Sequence, residues 1–177
     1  MLFNIALAPQ SVYFTELAQK IFGNLKLVGI FDSLFVAGFL LGSVAYRLTT
    51  PKFKIHQYIT SSLLLVSSAF LLLSLHQSAL TYLGIGVLGF AIPLYNISMK
   101  TILQTKIPKA KLATVSNSYY ALMNVTQPLG LLGLPYMISF LGINTSLLLI
   151  ALGLFSLTSW LIMGGKISLQ LDLQESE

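Results

Sequence analysis

The sequence predicts an all-α integral membrane protein of six transmembrane helices, and three observations predict it. Only 8% of the 177 residues are charged while 55% are apolar, the mean hydropathy is +0.83, and two uncharged stretches are each too long for one membrane crossing. A water-facing surface needs roughly 25–35% Lys, Arg, Glu and Asp, so lipid must solvate most of this chain. The absence of cysteine excludes a disulfide framework, thiolate metal sites and cysteine nucleophiles. The net charge of +5 is gathered in short clusters, Arg47 with Lys52 and Lys54, and Lys100 with Lys106, Lys109 and Lys111. Neither cluster is interleaved with aromatic residues as a single-strand-binding platform would be, and no nucleic-acid partner is expected.

The first span is placed at about residues 2–22, an apolar run interrupted by Pro9, Gln10, Glu16 and Lys20. A secretory signal is the alternative, since Ala6-Leu7-Ala8 resembles a cleavage site, but no Lys or Arg precedes the apolar stretch as a signal requires. The second span covers about 27–46, with Asp32 as its only charge. No formally charged residue lies between Ile55 and Met99. One helix of that length would measure about 70 Å, against a hydrocarbon core of about 30 Å. The chain must therefore fold back, and His76-Gln77-Ser78 is the natural turn between spans at about 57–75 and 79–99. The same argument divides Leu112 to Gly165 at Gly142-Ile143-Asn144, giving spans at about 114–141 and 145–164. Residues 166–177 alternate at Ile167, Leu169, Leu171 and Leu173 as a strand would, yet a short segment ending Glu175-Ser176-Glu177 reads as a loose, solvated cytoplasmic tail.

Orientation follows from the basic residues. Arg47, Lys52, Lys54, Lys106, Lys109, Lys111 and Lys166 all fall on one face of a six-span topology, and the positive-inside rule makes that face, with both termini, cytoplasmic. Spans three and six, rich in Leu, Ile, Phe, Ser and Ala, are expected at the periphery. Gly38 and Gly42 on span two, and Gly84, Gly86, Gly89 and Pro93 on span four, let backbones approach closely and are expected inside.

Span five carries the most informative pattern. Ser116, Tyr120, Asn124 and Gln127 lie on one helical stripe about 80° wide, and unsatisfied polar groups in hydrocarbon cost several kcal/mol. The stripe either hydrogen bonds to other helices or lines a water-filled cavity. Asn4, Ser11 and Thr15 make a weaker stripe on span one, where Pro9 would kink the helix. Asp32, in the first turns of span two, is either held there by the helix dipole and Lys26 or couples protons. Glu16 and Lys20 have the spacing of an ion pair. His56 and His76 make no metal-ligand spacing, and neither a phosphate loop nor a nucleophile-base pair is recognisable. Neither enzymatic chemistry nor a cofactor is expected.

Pro93-Leu94-Tyr95-Asn96, Thr101-Ile102-Leu103-Gln104, Ile107-Pro108, Val115-Ser116 and Pro128-Leu129-Gly130 follow one another in an order and spacing that resembles the C-terminal half of major facilitator superfamily transporters, especially the drug and macrolide exporter-like branch. The resemblance covers nearly the whole chain in hydropathy and about residues 93–130 in specific residues. The family's Gly-x-x-x-Asp-Arg-x-Gly-Arg-Lys/Arg loop is reduced here to Gly42 and Arg47, with Tyr46, Thr49, Thr50 and Pro51 at its other fixed positions. The Gly-Arg often found before the helix-eleven valine is Ala113-Thr114.

The resemblance implies proton-coupled efflux of small amphipathic compounds, a bacterial inner-membrane location, and a missing N-terminal six-helix half or a second copy as partner, because such transporters bind substrate between two halves. It places the substrate cavity at Ser116, Tyr120, Asn124 and Gln127, with Asn4 and Asn96 behind them, Asp32 as the proton-coupling candidate and Gly42 and Arg47 in the cytoplasmic gating loop. The competing expectation is a six-helix remnant or membrane scaffold that transports nothing.

Overall fold

The computed structural model describes residues 6–50, 54–75 and 77–174, with side chains given up to residue 163. Every regular element among them is helical: α1 (Gln10–Lys20), α2 (Leu27–Thr49), α3 (Ile55–Ser74), α4 (Ser78–Lys106) and α5 (Lys109–Gln174). Four of these, α2 to α5, are long and apolar enough to cross a membrane.

The helices number five rather than six, and the reason is local. Spans five and six run together in α5, interrupted at one residue, Gly142, whose φ of 77° and ψ of 162° are not helical. Only glycine adopts that region readily. Twenty residues of unbroken helix would hold Gly133 and Gly153 about 30 Å apart, yet both line one cavity, so the chain doubles back at Gly142. The predicted turn is there, compressed to a residue.

The first span departs further from expectation. Ala6 and Leu7 are helical, a turn follows at Ala8-Pro9, and α1 begins only at Gln10, as befits a proline that has no N–H to continue a helix. At about 17 Å, α1 alone is shorter than a bilayer core. Its end is an αL cap: the Gly23 N–H donates to the Gln19 carbonyl at 3.1 Å, with Gly23 at φ 60°, and the Asn24 N–H donates to the Ala18 carbonyl at 3.1 Å. Elsewhere proline sets the boundaries. Ile107 is extended before Pro108, which ends α4, because a residue preceding proline avoids the helical region. Residues 166–174, expected as a loose tail, have helical backbone to Gln174; no proline or glycine in that stretch stops the preceding turns from propagating.

Packing centres on α4, which lies against α2 on one side and α3 on the other, while α3 also packs on α5 and α1 touches α2 and α5. The α2–α4 seam is a backbone-to-backbone contact. A Cβ on Gly38 would meet the Gly86 carbonyl oxygen, one on Gly42 the Phe90 carbonyl oxygen, and one on Gly89 the Phe35 carbonyl oxygen. Span three is not peripheral. In the most apolar window of α3 44% of residues are buried, close to the 50% of α4 and far above the 17% of α2. Ser62, Leu63, Val66, Ser67, Ala69, Phe70 and Leu73 form its buried side, and the buried hydroxyls are satisfied within the helix, Ser67 donating to the Leu63 carbonyl at 2.8 Å. The core joins this side of α3 to Tyr13, Phe14 and Leu17 of α1, Phe31 of α2, Ile85 and Leu88 of α4, and Leu147 and Leu154 of α5.

Candidate functional site

The placement of α1 leaves a groove of about 560 Å³ between four elements. Leu7, Ala8, Gln10 and Ser11 approach from the N-terminal side, Phe35 and Phe39 from α2, Ile92 and Asn96 from α4, and Gln127 from α5. Each side chain is aimed by a constraint already described. The Gly42–Phe90 and Gly89–Phe35 approaches press α2 onto α4, which brings Phe35 and Phe39 beside Ile92. On α4, Tyr95 is buried and shares a side-chain hydrogen bond with Tyr119 of α5. Asn96, about 100° further round the helix, is left on the exposed side of that joint.

The chemistry of the groove is neutral. Gln10, Asn96 and Gln127 each offer a carbonyl acceptor and an amide donor, Ser11 adds a hydroxyl, and two phenyl rings and three aliphatic side chains supply apolar wall. Among the described residues, no carboxylate, lysine, arginine or histidine lines it. Such a lining suits a molecule with an apolar body and a few hydrogen-bonding groups.

The structure brings together two of the predicted cavity residues, Asn96 and Gln127. Ser116 is half-buried and Tyr120 and Asn124 are exposed; they continue from Gln127 along the same side of α5 toward Lys109, over about 16 Å, and do not line the groove. Among the described residues, Ser116, Asn124 and Gln127 make no side-chain hydrogen bond to another helix, whereas the buried Thr126 donates to the Met123 carbonyl of its own helix at 2.6 Å. The helix-facing side of this segment instead holds Met123, Thr126, Gly130, Leu134 and Ile138. Asn4 lies outside the described residues.

Asp32 is exposed, in the second turn of α2, and does not line the groove. Asp32 makes no ion pair with Lys26 among the described residues, where the ion pair is Lys20 with Glu16, at 2.8 Å. Gly42 is buried in the α2–α4 seam, and Arg47 is exposed with no ion pair among the described residues. Around Arg47 the end of α2 is tied to α3 by a tilted ring contact, Tyr46 and Tyr58 with centroids 4.6 Å apart, and by the Tyr58 hydroxyl donating to Thr49 Oγ1 at 2.8 Å. Leu94 packs beside the rings.

Sequence reasoning missed Gln10, Phe35, Phe39 and Ile92. Gln10 was visible as an amide inside an apolar run, but the three apolar residues carry no signal until α2 and α4 are brought together. A second, apolar cavity of about 320 Å³ lies beyond the Ala6–Ala8 segment, lined by Tyr13 and by both limbs of α5. It too carried no signal in the sequence, because it depends on how both limbs of α5 meet Ala6 and Tyr13. No protein-family model, curated protein or solved structure matches the chain.

Proposed function

We propose that the chain is the C-terminal six-helix half of a secondary active transporter of the major facilitator type, exporting small amphipathic compounds such as drugs or macrolides in exchange for protons. The observation that carries the reading is the groove in which Gln10, Ser11, Asn96 and Gln127 meet two phenyl rings between helices that all belong to the predicted cavity-lining set. Two further features support it. The polar stripe on α5 is not consumed as helix-to-helix glue, and the exposed apolar residues Val36, Leu40, Leu41 and Val44 of α2 stand beside the groove, where a second half or a second copy would close it. In this reading Asp32, a carboxylate without an ion-pair partner among the described residues, carries the coupling proton from the outer end of α2. In the same reading the basic clusters favour cytoplasmic termini, and the resemblance implies a bacterial inner membrane.

The test is flux of a lipophilic fluorescent dye in membrane vesicles from cells that express the complete reading frame encoding this chain. Gradient-dependent flux is expected, and Asn96→Leu and Gln127→Leu should each reduce it about 10-fold at equal membrane content, the scale of one lost polar contact to substrate. Flux that persists without a proton gradient removes the coupling. Flux unchanged in both variants removes the groove, and stable insertion with no flux in any form leaves a membrane scaffold.

A further inference from the structure

One end of the bundle carries charge of a single sign. The contacts of Gly38 with Gly86 and of Gly42 with Phe90 make α2 and α4 run in the same direction, so both stop where α3 and α5 start. Tyr46, Tyr58 and Leu94 pack together at this end, and each of their helices continues into a cation. Arg47 follows Tyr46 on α2, Lys54 stands one turn before Tyr58 at the start of α3, and Lys100 lies about 9 Å beyond Leu94 along α4. The turn between α4 and α5 reaches another ~9 Å past Lys100 and adds Lys106, Lys109 and Lys111 around Pro108. All of these cations are exposed, and none makes an ion pair among the described residues.

Among the described side chains the carboxylates stand elsewhere. Glu16 is held by Lys20, and Asp32 lies fifteen residues before Arg47 on the same helix, about 22 Å away. Exposed charges are largely screened from one another beyond about 8 Å at physiological salt, so the patch needs anions from outside these helices. Its membrane side is apolar. Leu48, 70% exposed, adjoins Arg47 on α2, and the exposed Val115 lies one turn inward from Lys111 on the same side of α5. A soluble polyanion would meet the cations and leave these two side chains bare, whereas a phospholipid presents a phosphate and, beneath it, an acyl chain.

We infer that this end of the bundle is a binding surface for anionic phospholipid. Arg47, Lys54 and Lys100 take the headgroup phosphate at the edge of the hydrocarbon, Leu48 and Val115 meet the acyl chains, and the lysines around Pro108 draw further anionic headgroups. A gathering of this size has the charge of segments that recognise anionic leaflets, where each cation is worth about 5-fold in affinity. The inference rests on the chain crossing a membrane and not on transport. The competing counterions are the chain's own last carboxylates, Asp172, Glu175 and Glu177.

The chain has no cysteine, so a single introduced thiol carries a single fluorophore. Leu48→Cys reports on the patch, and Leu141→Cys, exposed at the far end of the outgoing limb of α5, reports on an uncharged stretch. Each labelled full chain is reconstituted in phosphatidylcholine bilayers containing a fixed fraction of phosphatidylcholine or phosphatidylglycerol with brominated acyl chains, and quenching measures which lipid sits beside the label. Phosphatidylglycerol is expected to bind about 5- to 25-fold more strongly than phosphatidylcholine at Leu48, the value of one to two cations, and equally at Leu141. Arg47→Gln and Lys100→Gln should each lower the preference about 5-fold or less, and both together with Lys54→Gln should remove it. Equal quenching by the two lipids at Leu48 would overturn the site. A preference abolished by millimolar inorganic pyrophosphate would overturn the lipid in favour of a soluble anion, and one that emerges only when residues 172–177 are removed would show the patch covered by the chain's own carboxylates and overturn it as well. No quenching by either lipid at either position would overturn the membrane reading on which the site rests, whatever the outcome of the flux assay.

Discussion

Gly38 and Gly42 recur on α2 one helical turn apart, and Ser116, Tyr120 and Asn124 recur at the same interval on the outgoing limb of α5. The first two are buried beneath the backbone of α4. The others are half-buried or exposed, and neither Ser116 nor Asn124 hydrogen bonds to another helix among the described residues. The same periodicity thus marks a seam in one place and an open side in the other. Side-chain volume separates the two cases: a residue without a Cβ lets two helices touch through carbonyl oxygens and Cα atoms, whereas amides and phenols hold a neighbour away and need a polar environment of their own.

Breaking the seam should have the largest effect. Leucine at position 42 would drive its Cβ onto the Phe90 carbonyl oxygen and to within 2.8 Å of Pro93 Cγ, and neither backbone nor proline ring can move without separating α2 from α4. Gly42→Leu is expected to destabilise the helical bundle by about 3 kcal/mol or more, at or above the upper range for overpacking, measured by unfolding in mixed micelles. Gly29→Leu on the same helix, where a Cβ meets nothing within 4 Å, should change stability by less than about 0.5 kcal/mol. Equal effects at the two positions would show that the seam is not the contact that orders α2.

The hairpin of α5 allows a sharper comparison, because it separates backbone conformation from crowding. Gly142 has open space around it but a φ of 77°. Gly142→Ala should therefore destabilise through strain alone, by about 1–3 kcal/mol, and should also loosen the apolar cavity whose two walls meet through that bend. A variant as stable as the parent would mean that the limbs of α5 stay together without the glycine conformation.

How much of this was legible follows the range of the interactions. The turns at Gln77 and Gly142 are local chemistry and could be read from the chain, as could the glycine seam between spans two and four, whereas span four was expected to end near 99 and α4 runs on to Lys106. Five helices appear in place of six because a reversal at one glycine leaves no loop, and α1 is short because Pro9 starts a helix where a continuous span was expected. Span three was read as peripheral from its leucines and serines; its serines are satisfied within their own helix, so they signal nothing about depth. Of the site, Asn96 and Gln127 were legible because amides in apolar runs stand out. Phe35, Phe39 and Tyr13 were not, since an aromatic residue in a membrane helix has the same sequence signature whether it fills a core, faces lipid or walls a cavity.

The smallest effect on stability should come from the open side itself, and that makes it the most discriminating. Asn124 lies one turn from Gln127 on the same stripe, outside the groove, and hydrogen bonds to no other helix among the described residues. If its amide held helices together, Asn124→Leu would leave a partner unsatisfied and destabilise by about 1–3 kcal/mol. In the arrangement seen here nothing is left behind, and leucine is better solvated by lipid than an amide is, so stability should stay within about 0.5 kcal/mol of the parent or rise. Dye flux in the same vesicles then separates the two roles of the stripe. A fall in flux at unchanged stability makes Asn124 part of the path between the groove and the Lys109 end of α5. Unchanged flux confines the substrate to the groove at Gln127, and lost stability returns the stripe to the role of helix glue.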